Sequence, residues 1–331
     1  MISSLLIALV CICSLTVAVA AQLPNAHFFA STVNHGGQNK AVNLQMTESG
    51  SCVVVSFEEF DDATHQNGVW DSSKRLMRGY SQDPNGTNSV IRSWASNGTD
   101  VGDTVPIIRL SSPPSVLFID GSGAGPMSLL AFSLEPSVLS RIDVDTGAAQ
   151  VLVTVPPAGY SWIVPSGAFD ASSALVYQVT YTVNATGCMA LSLLAMATRA
   201  PFSHTSTPLS AADASIAALI SASGVWGLAV AQAGKSLAAV VQISAESNML
   251  VSIDPISGAV TRLGAADDVF AGASVMGSVL PSNGLLFVDT LDSTETTNRL
   301  HAFDALTGTL LASSVCSGIF NIDDFVAFSS D

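Results

Sequence analysis

Runs of adjacent carboxylates are the residues of this chain best suited to chemistry. Glu58-Glu59-Phe-Asp61-Asp62, Asp267-Asp268 and Asp323-Asp324 crowd acidic side chains together in a sequence with few charges of any kind. Hard oxygen ligands of this type hold Ca2+, which takes about six to eight oxygens from carboxylates, carbonyls and water. Neighbouring carboxylates repel one another, and a bound cation relieves that repulsion. The plain alternative is a solvated acidic rim. Glu59, Asp61, Asp268, Asp323 and Asp324 are the candidate metal ligands, and Ca2+ is the one cofactor they suggest.

Other catalytic signals are sparse. His27, His35, His65, His204 and His301 show no helical metal spacing and no neighbouring nucleophile motif. His65, beside Asp61 and Asp62, is the best single acid–base candidate. Gly121-Ser-Gly-Ala-Gly125 has Gly where a nucleophile elbow needs Ser, and it misses dinucleotide and P-loop spacing, so it reads as a flexible turn. No CxxC pair or Cys/His cluster suggests zinc.

The elements that must position these residues are announced by a repeat. Leu139-Ser-Arg-Ile-Asp-Val-Asp-Thr-Gly147, Leu250-Val-Ser-Ile-Asp-Pro-Ile-Ser-Gly258 and Leu300-His-Ala-Phe-Asp-Ala-Leu-Thr-Gly308 share one pattern, with weaker copies ending at Gly50, Gly98 and Arg199. A pitch of 48 to 59 residues marks a solenoid, an array or a propeller. Each copy joins a strand-like run to another through a tight turn. There Gly supplies a positive φ, and Asp143, Asp254 or Asp304 accepts local backbone N–H bonds. Leu285-Leu-Phe-Val-Asp-Thr290 and Gly277-Ser-Val-Leu280 add two earlier strands to the last unit. Four antiparallel strands per unit make a propeller blade.

The first unit begins at its second strand, His27 to Thr32, and the run Ile319 to Phe328 is left over after the last. The expected fold is all-β: a six-bladed β-propeller of four-stranded antiparallel blades, closed by the C-terminal strand pairing with the N-terminal blade. A β-sandwich of many short strands is the rival. Ser210-Ala-Ala-Asp213 resembles a capping box opening a short helix to Ile220, which explains the longest interval in the repeat.

Composition bounds the setting. Residues 1–21 read as a secretory signal, with apolar runs at Leu5 to Val10 and Leu15 to Val19 and small residues at Ala18-Val-Ala20-Ala21. An uncleaved anchor is the alternative, since the stretch reaches the roughly 20 residues that span a bilayer. Residues 22–331 form the propeller domain. Net charge is −15, yet only 11% of residues are charged, against about 25% in a typical soluble domain. Eleven scattered Lys and Arg residues disfavour nucleic acid and anionic membrane surfaces as partners.

Asn85, Asn97 and Asn184 stand in glycosylation sequons and fall between the expected strands. Past the signal, Cys52, Cys188 and Cys316 remain. Cys52 and Cys316 map to the outermost strands of the first and last units, which adjoin in a closed ring, so they are the candidate disulfide.

The line His301-Ala-Phe-Asp-Ala-Leu-Thr-Gly-Thr-Leu-Leu-Ala312 resembles the repeat of quinoprotein-like propellers, over about a dozen residues in each of three units. Ala312 stands where quinoprotein dehydrogenases carry a blade-docking Trp, and their adjacent cysteines are missing. Blade number and secretion are more similar to the strictosidine-synthase-like and paraoxonase-like propellers, a likeness of architecture that carries over no ligand set. No catalytic constellation emerges, so the expected function is extracellular binding of protein or glycan at the channel mouth, including Asn34 to Lys40 and Asp289 to Thr297. The alternative is a calcium-dependent hydrolase of lactone or ester type with its metal at the same mouth. A secreted oxidase or luciferase using a soluble cofactor is a third class compatible with the sequence.

Overall fold

A computed structural model describes residues 26–33, 39–59, 65–82, 89–95, 99–110, 114, 116–120, 128–134, 137–155, 161–183, 189–244, 247–265, 269–271, 274–280, 284–291, 297–317 and 322–328. They form six sheets. Blade 1 contains β1 (Ala26–Val33), β2 (Asn39–Met46) and β3 (Cys52–Glu59). Blade 2 is β4 (His65–Asp71), β5 (Leu76–Gln82), β6 (Ser89–Ala95) and β7 (Asp100–Pro106). Blade 3 is β8 (Val116–Asp120), β9 (Ser128–Leu134), β10 (Ser137–Asp143) and β11 (Ala149–Thr154). Blade 4 is β12 (Ser161–Asp170), β13 (Leu175–Val183), β14 (Met189–Ala197) and β15 (His204–Pro208).

Blade 5 collects β16 (Ser210–Ala211), β17 (Trp226–Gln232), β18 (Ser236–Ser244), β19 (Ser247–Ile253), β20 (Ala259–Arg262) and β21 (Val269–Ala271), with helix α1 (Ala214–Ser223) inserted after β16. Blade 6 is β22 (Ser274–Leu280), β23 (Leu285–Leu291), β24 (Asn298–Asp304) and β25 (Leu310–Cys316). The next strand, β26 (Ile322–Phe328), belongs to blade 1, where it pairs antiparallel with β1 from His27↔Phe328 to Thr32↔Ile322. The inner strands β26, β4, β8, β12, β17 and β22 each lie beside the next, and β22 lies beside β26, so the sheets make a ring. The chain is a six-bladed β-propeller.

Packing explains why the strands read as they do. Interior strands have neighbours on both faces, so they are apolar without alternation. Every residue of β23 is buried. Its Leu285 and Phe287 pack with Phe28 and Leu44 of blade 1, while Leu286 and Val288 pack with Val240 and Leu250 of blade 5. Outer strands alternate instead: Val53 and Val55 of β3 are exposed, whereas Cys52 and Val54 turn toward the core. The hydrophobic core is therefore divided among the seams between blades, and Phe28 meets Phe287 edge-on at 4.8 Å across one of them.

The capping box expected at Ser210 is not what starts α1. Asp213 is the N-cap, accepting from Ser215 N at 2.8 Å and Ile216 N at 3.4 Å. Ser210 is engaged elsewhere: it lies in β16, parallel to β20, and its N–H donates to Gly258 O at 3.0 Å. Ile216 and Ile220 seat the helix against the seam between blades 4 and 5.

The motif glycines have a second role besides the turn. Gly147, Gly258 and Gly308 have φ of 69°, 71° and 72°. In addition, the end of the preceding blade's outer strand lies against each of them. A Cβ on Gly147 would overlap the Pro106 carbonyl oxygen, and one on Gly258 the Pro208 carbonyl oxygen. On Gly308 it would sit 2.7 Å from Leu263 C and Gly264 N. Main-chain bonds fasten the first two contacts, Ile108 N to Gly147 O at 2.8 Å and Ser210 N to Gly258 O at 3.0 Å. The outer strands thus run head to tail around the rim. At the seam between blades 6 and 1 the same position is occupied by the disulfide Cys52–Cys316, beside a 2.9 Å bond from Cys52 N to Ser314 Oγ.

Two outcomes test this rim. Ala at Gly147 or Gly258 combines a left-handed backbone with a collision and should cost more than about 3 kcal/mol in chemical denaturation. Gly102→Ala, at φ 77° with nothing within 4 Å, should cost only about 1 kcal/mol. Equal costs would remove the docking role. Reducing the disulfide, whose partners are 264 residues apart, should lower stability by about 5 kcal/mol in the chain-entropy model. Hydrogen exchange should then rise first in β3 and β25.

Candidate functional site

The meander gives the ring two different ends. Inner strands run toward an end that carries the turns from first to second and from third to outer strands, here termed the turn end. The loop end carries the second-to-third connections and the chain passing between blades.

At the turn end, carboxylates hold backbone. Asp143 Oδ1 accepts from Thr146 N at 2.8 Å and Asp145 N at 3.0 Å. Asp254 accepts from Ile256 N and Ser257 N, and Asp304 from Leu306 N and Thr307 N. The N–H groups of Thr146, Ser257 and Thr307 are the main cause holding these three carboxyls below their ordinary range. They are turn residues.

A second carboxylate series was missed in the sequence. The inner strands of blades 2, 3 and 4 end in Asp71, Asp120 and Asp170, each the first residue of an Asp-x-Ser sequence. Asp170 Oδ2 accepts from Gly234 N of blade 5 at 2.6 Å, while Oδ1 takes the Ser172 hydroxyl at 2.7 Å. Burial pushes the Asp170 carboxyl up, but the Ser172 and Ser173 hydroxyls and the Gly234 N–H outweigh it and hold it below its usual range. Asp120 accepts from Arg141 at 3.0 Å, and the same guanidinium donates to Thr198 O of blade 4 at 2.7 Å. Asp71 is fully buried, with the Arg78 guanidinium 3.7 Å away, and Arg78 reaches the Ser93 hydroxyl. Lys74, in the turn after Asp71, pairs with Asp145 of blade 3 at 3.0 Å. This end is spent on joining blades.

The predicted site residues fall at the loop end. Glu59 ends β3 in register with Lys40, and His65 opens β4 opposite Ser81. Asp324 of β26 pairs with Ser31, and Asp323 is the extra residue where that register shifts. Asp61 and Asp268 lie outside the described residues, as do Asn85, Asn97, Asn184 and Cys188. Among the described residues no three His, Cys, Asp or Glu side chains come together as a metal cluster.

What the described residues do place at the loop end is a pair of buried polar groups in blade 6. Toward blade 5, the Thr290 hydroxyl meets His301 Nε2 at 3.0 Å, and the His301 ring lies 5.1 Å from that of Phe270. Asp289 and Asn298 are also buried, and Asn298 Nδ2 donates to Asp289 Oδ2 at 2.8 Å. Among the described residues, Asp289 Oδ1 and Asn298 Oδ1 have no hydrogen-bond partner. Burial drives the Asp289 carboxyl well above its ordinary range, and the Asn298 bond offsets only part of this. The sequence places Asp289 both in the strand Leu285 to Thr290 and at the start of a binding loop; the structure puts it at the buried end of β23. Its signal was an acidic residue inside an apolar strand run.

Comparisons with known proteins return the fold and no family. No family model matches the chain, and no curated protein matches it. A TolB from Agrobacterium tumefaciens is similar at TM-score 0.53 and 9% identity, over 92% of this chain and 97% of that one. The Dos1 propeller aligns at TM-score 0.44 and 11% identity, over 86% and 73%. An oligogalacturonate lyase in complex with manganese aligns at 0.43 and 10%, over 88% and 84%. At 9% identity the TolB likeness concerns the fold alone.

Asp289 makes stability pH-dependent in a defined direction. A carboxyl whose folded pKa is raised binds its proton more tightly when folded, so its contribution is full below the unfolded value near 3.8 and is lost as pH rises. In chelator, Asp289→Asn should melt close to wild type at pH 4 and above it at pH 8. Parallel pH curves for the two proteins would show Asp289 to be ordinary.

Proposed function

We propose that this chain is a secreted, glycosylated propeller that acts by binding extracellular protein or glycan at its loop end. The observation that supports this reading is the asymmetry of the ring. Turn-end side chains are committed to turns and seams: Asp143, Asp254 and Asp304 to backbone N–H groups, and Asp170, Arg141 and Lys74 to the next blade. Variation in length gathers at the other end, where connections range from 245–246 to the passage 209–225 that carries α1. Rigid scaffolds that present unequal loops on one face are the usual architecture of binding sites.

Secretion rests on residues 1–21 and the three sequons, and a disulfide at Cys52–Cys316 is compatible with an oxidising compartment. Among the described residues no helix is long and apolar enough to cross a membrane.

Expressed in a secreting eukaryotic host, the protein should begin at residue 22 by N-terminal sequencing and lose mass on amidase deglycosylation. On arrays of extracellular glycans and ectodomains it should give saturable binding. Replacing 34–38 and 292–296 with Gly-Ser linkers of equal length should abolish that binding, and Lys74→Ala should retain it. Blank arrays, or binding indifferent to the loops, would sink the proposal.

A further inference from the structure

Two buried oxygen atoms without donors pose a chemical problem at the seam between the last blade and the first. Asp289 and Asn298 stand at the loop ends of β23 and β24. By strand alternation they lie on the side that carries Phe287 and Leu300, the side packed against Phe28 and Leu44 of blade 1. The single bond between them uses Asn298 Nδ2 and Asp289 Oδ2. Asp289 Oδ1 and Asn298 Oδ1 are left over, both buried and both without a partner among the described residues. An ionised carboxylate and an amide carbonyl only accept, so the two cannot satisfy each other while Asp289 carries its charge. Leaving such groups bare inside a protein costs about 1–3 kcal/mol each.

The strand across this seam adds negative charge. β26 lies beside both β22 and β23, and it enters from the loop end with the sequence Ile322-Asp323-Asp324. Its pairing with β1 shifts register at that point, with Asp323 the additional residue. Two acidic residues thus stand in the sequence at the start of the strand that lies beside β22 and β23. One buried carboxylate and one buried amide oxygen, side by side, match the ligand chemistry of a hard divalent cation.

We propose that Asp289 and Asn298 supply side-chain oxygens to a Ca2+ site at the seam between blades 6 and 1, beside the start of β26. The site lies in a seam between two sheets. The ion would join the first and last blades at the loop end, as Cys52–Cys316 joins them at the rim. It is independent of the binding function proposed above, and each stands if the other fails.

The test uses the whole disulfide-bonded protein, stripped with EDTA and passed into chelator-free buffer. Titration with CaCl2, followed by thermal melts and elemental analysis, should give a saturable rise of several degrees and one ion per chain. Asp289→Asn should lose both, Asn298→Ala should need higher Ca2+ for the same rise, and Asp254→Asn, in an exposed turn, should behave as wild type. No response of the wild-type protein to millimolar Ca2+ would overturn the site and leave a buried water as the partner of the two oxygens. A full response retained in Asp289→Asn would overturn it equally, by placing the ion elsewhere.

Discussion

Backbone touching backbone at the motif glycines is the constraint on which the ring depends. At three seams among the described residues the outer strand of one blade ends against the next blade's turn, and the chain makes that junction without a side chain between. The Pro106 and Pro208 carbonyls occupy the space that any Cβ at 147 or 258 would fill. Because the contact is main chain to main chain, the side chains around it are free to vary. This accounts for a motif that keeps Asp and Gly while its other positions change between Val144-Asp145-Thr146, Pro255-Ile256-Ser257 and Ala305-Leu306-Thr307.

The same geometry divides the labour between the two ends. Turn-end carboxylates lie beside main-chain donors and bind them, which holds Asp143, Asp254 and Asp304 ionised and the turns tight. Asp170 and Arg141 carry that function across blade boundaries. Asp289 has no such donors; it is buried within blade 6, so it is the carboxyl whose environment favours the uncharged form. Acidic residues of similar appearance in the sequence thus do opposite electrostatic work according to the end at which the strand leaves them.

Much of the architecture was legible because it is periodic. The spacing of Gly147, Gly258 and Gly308 locates blades, and with the blades placed, Cys52 and Cys316 fall on the outer strands of neighbouring sheets. Apart from that disulfide, contacts between different blades were not legible. Nothing beside Gly258 in sequence announces Pro208, and nothing beside Asp170 announces Gly234. Ser210 satisfied a local capping pattern, but a main-chain partner in the next strand took it instead. Asp289 stands in the strand run Leu285 to Thr290 and also opens the expected binding loop; its apolar predecessors Leu286, Phe287 and Val288 are what indicate its burial.

Pairing of β26 with β1 also orders events in time. Blade 1 provides three strands ahead of the other five blades, and its fourth follows β25, after all five of them. Throughout that interval β1 presents the open edge that Ile322 to Phe328 later covers, with Phe28 still waiting for Phe287. Until β26 is made, the first blade is an unfinished sheet whose edge is open to pairing with other strands.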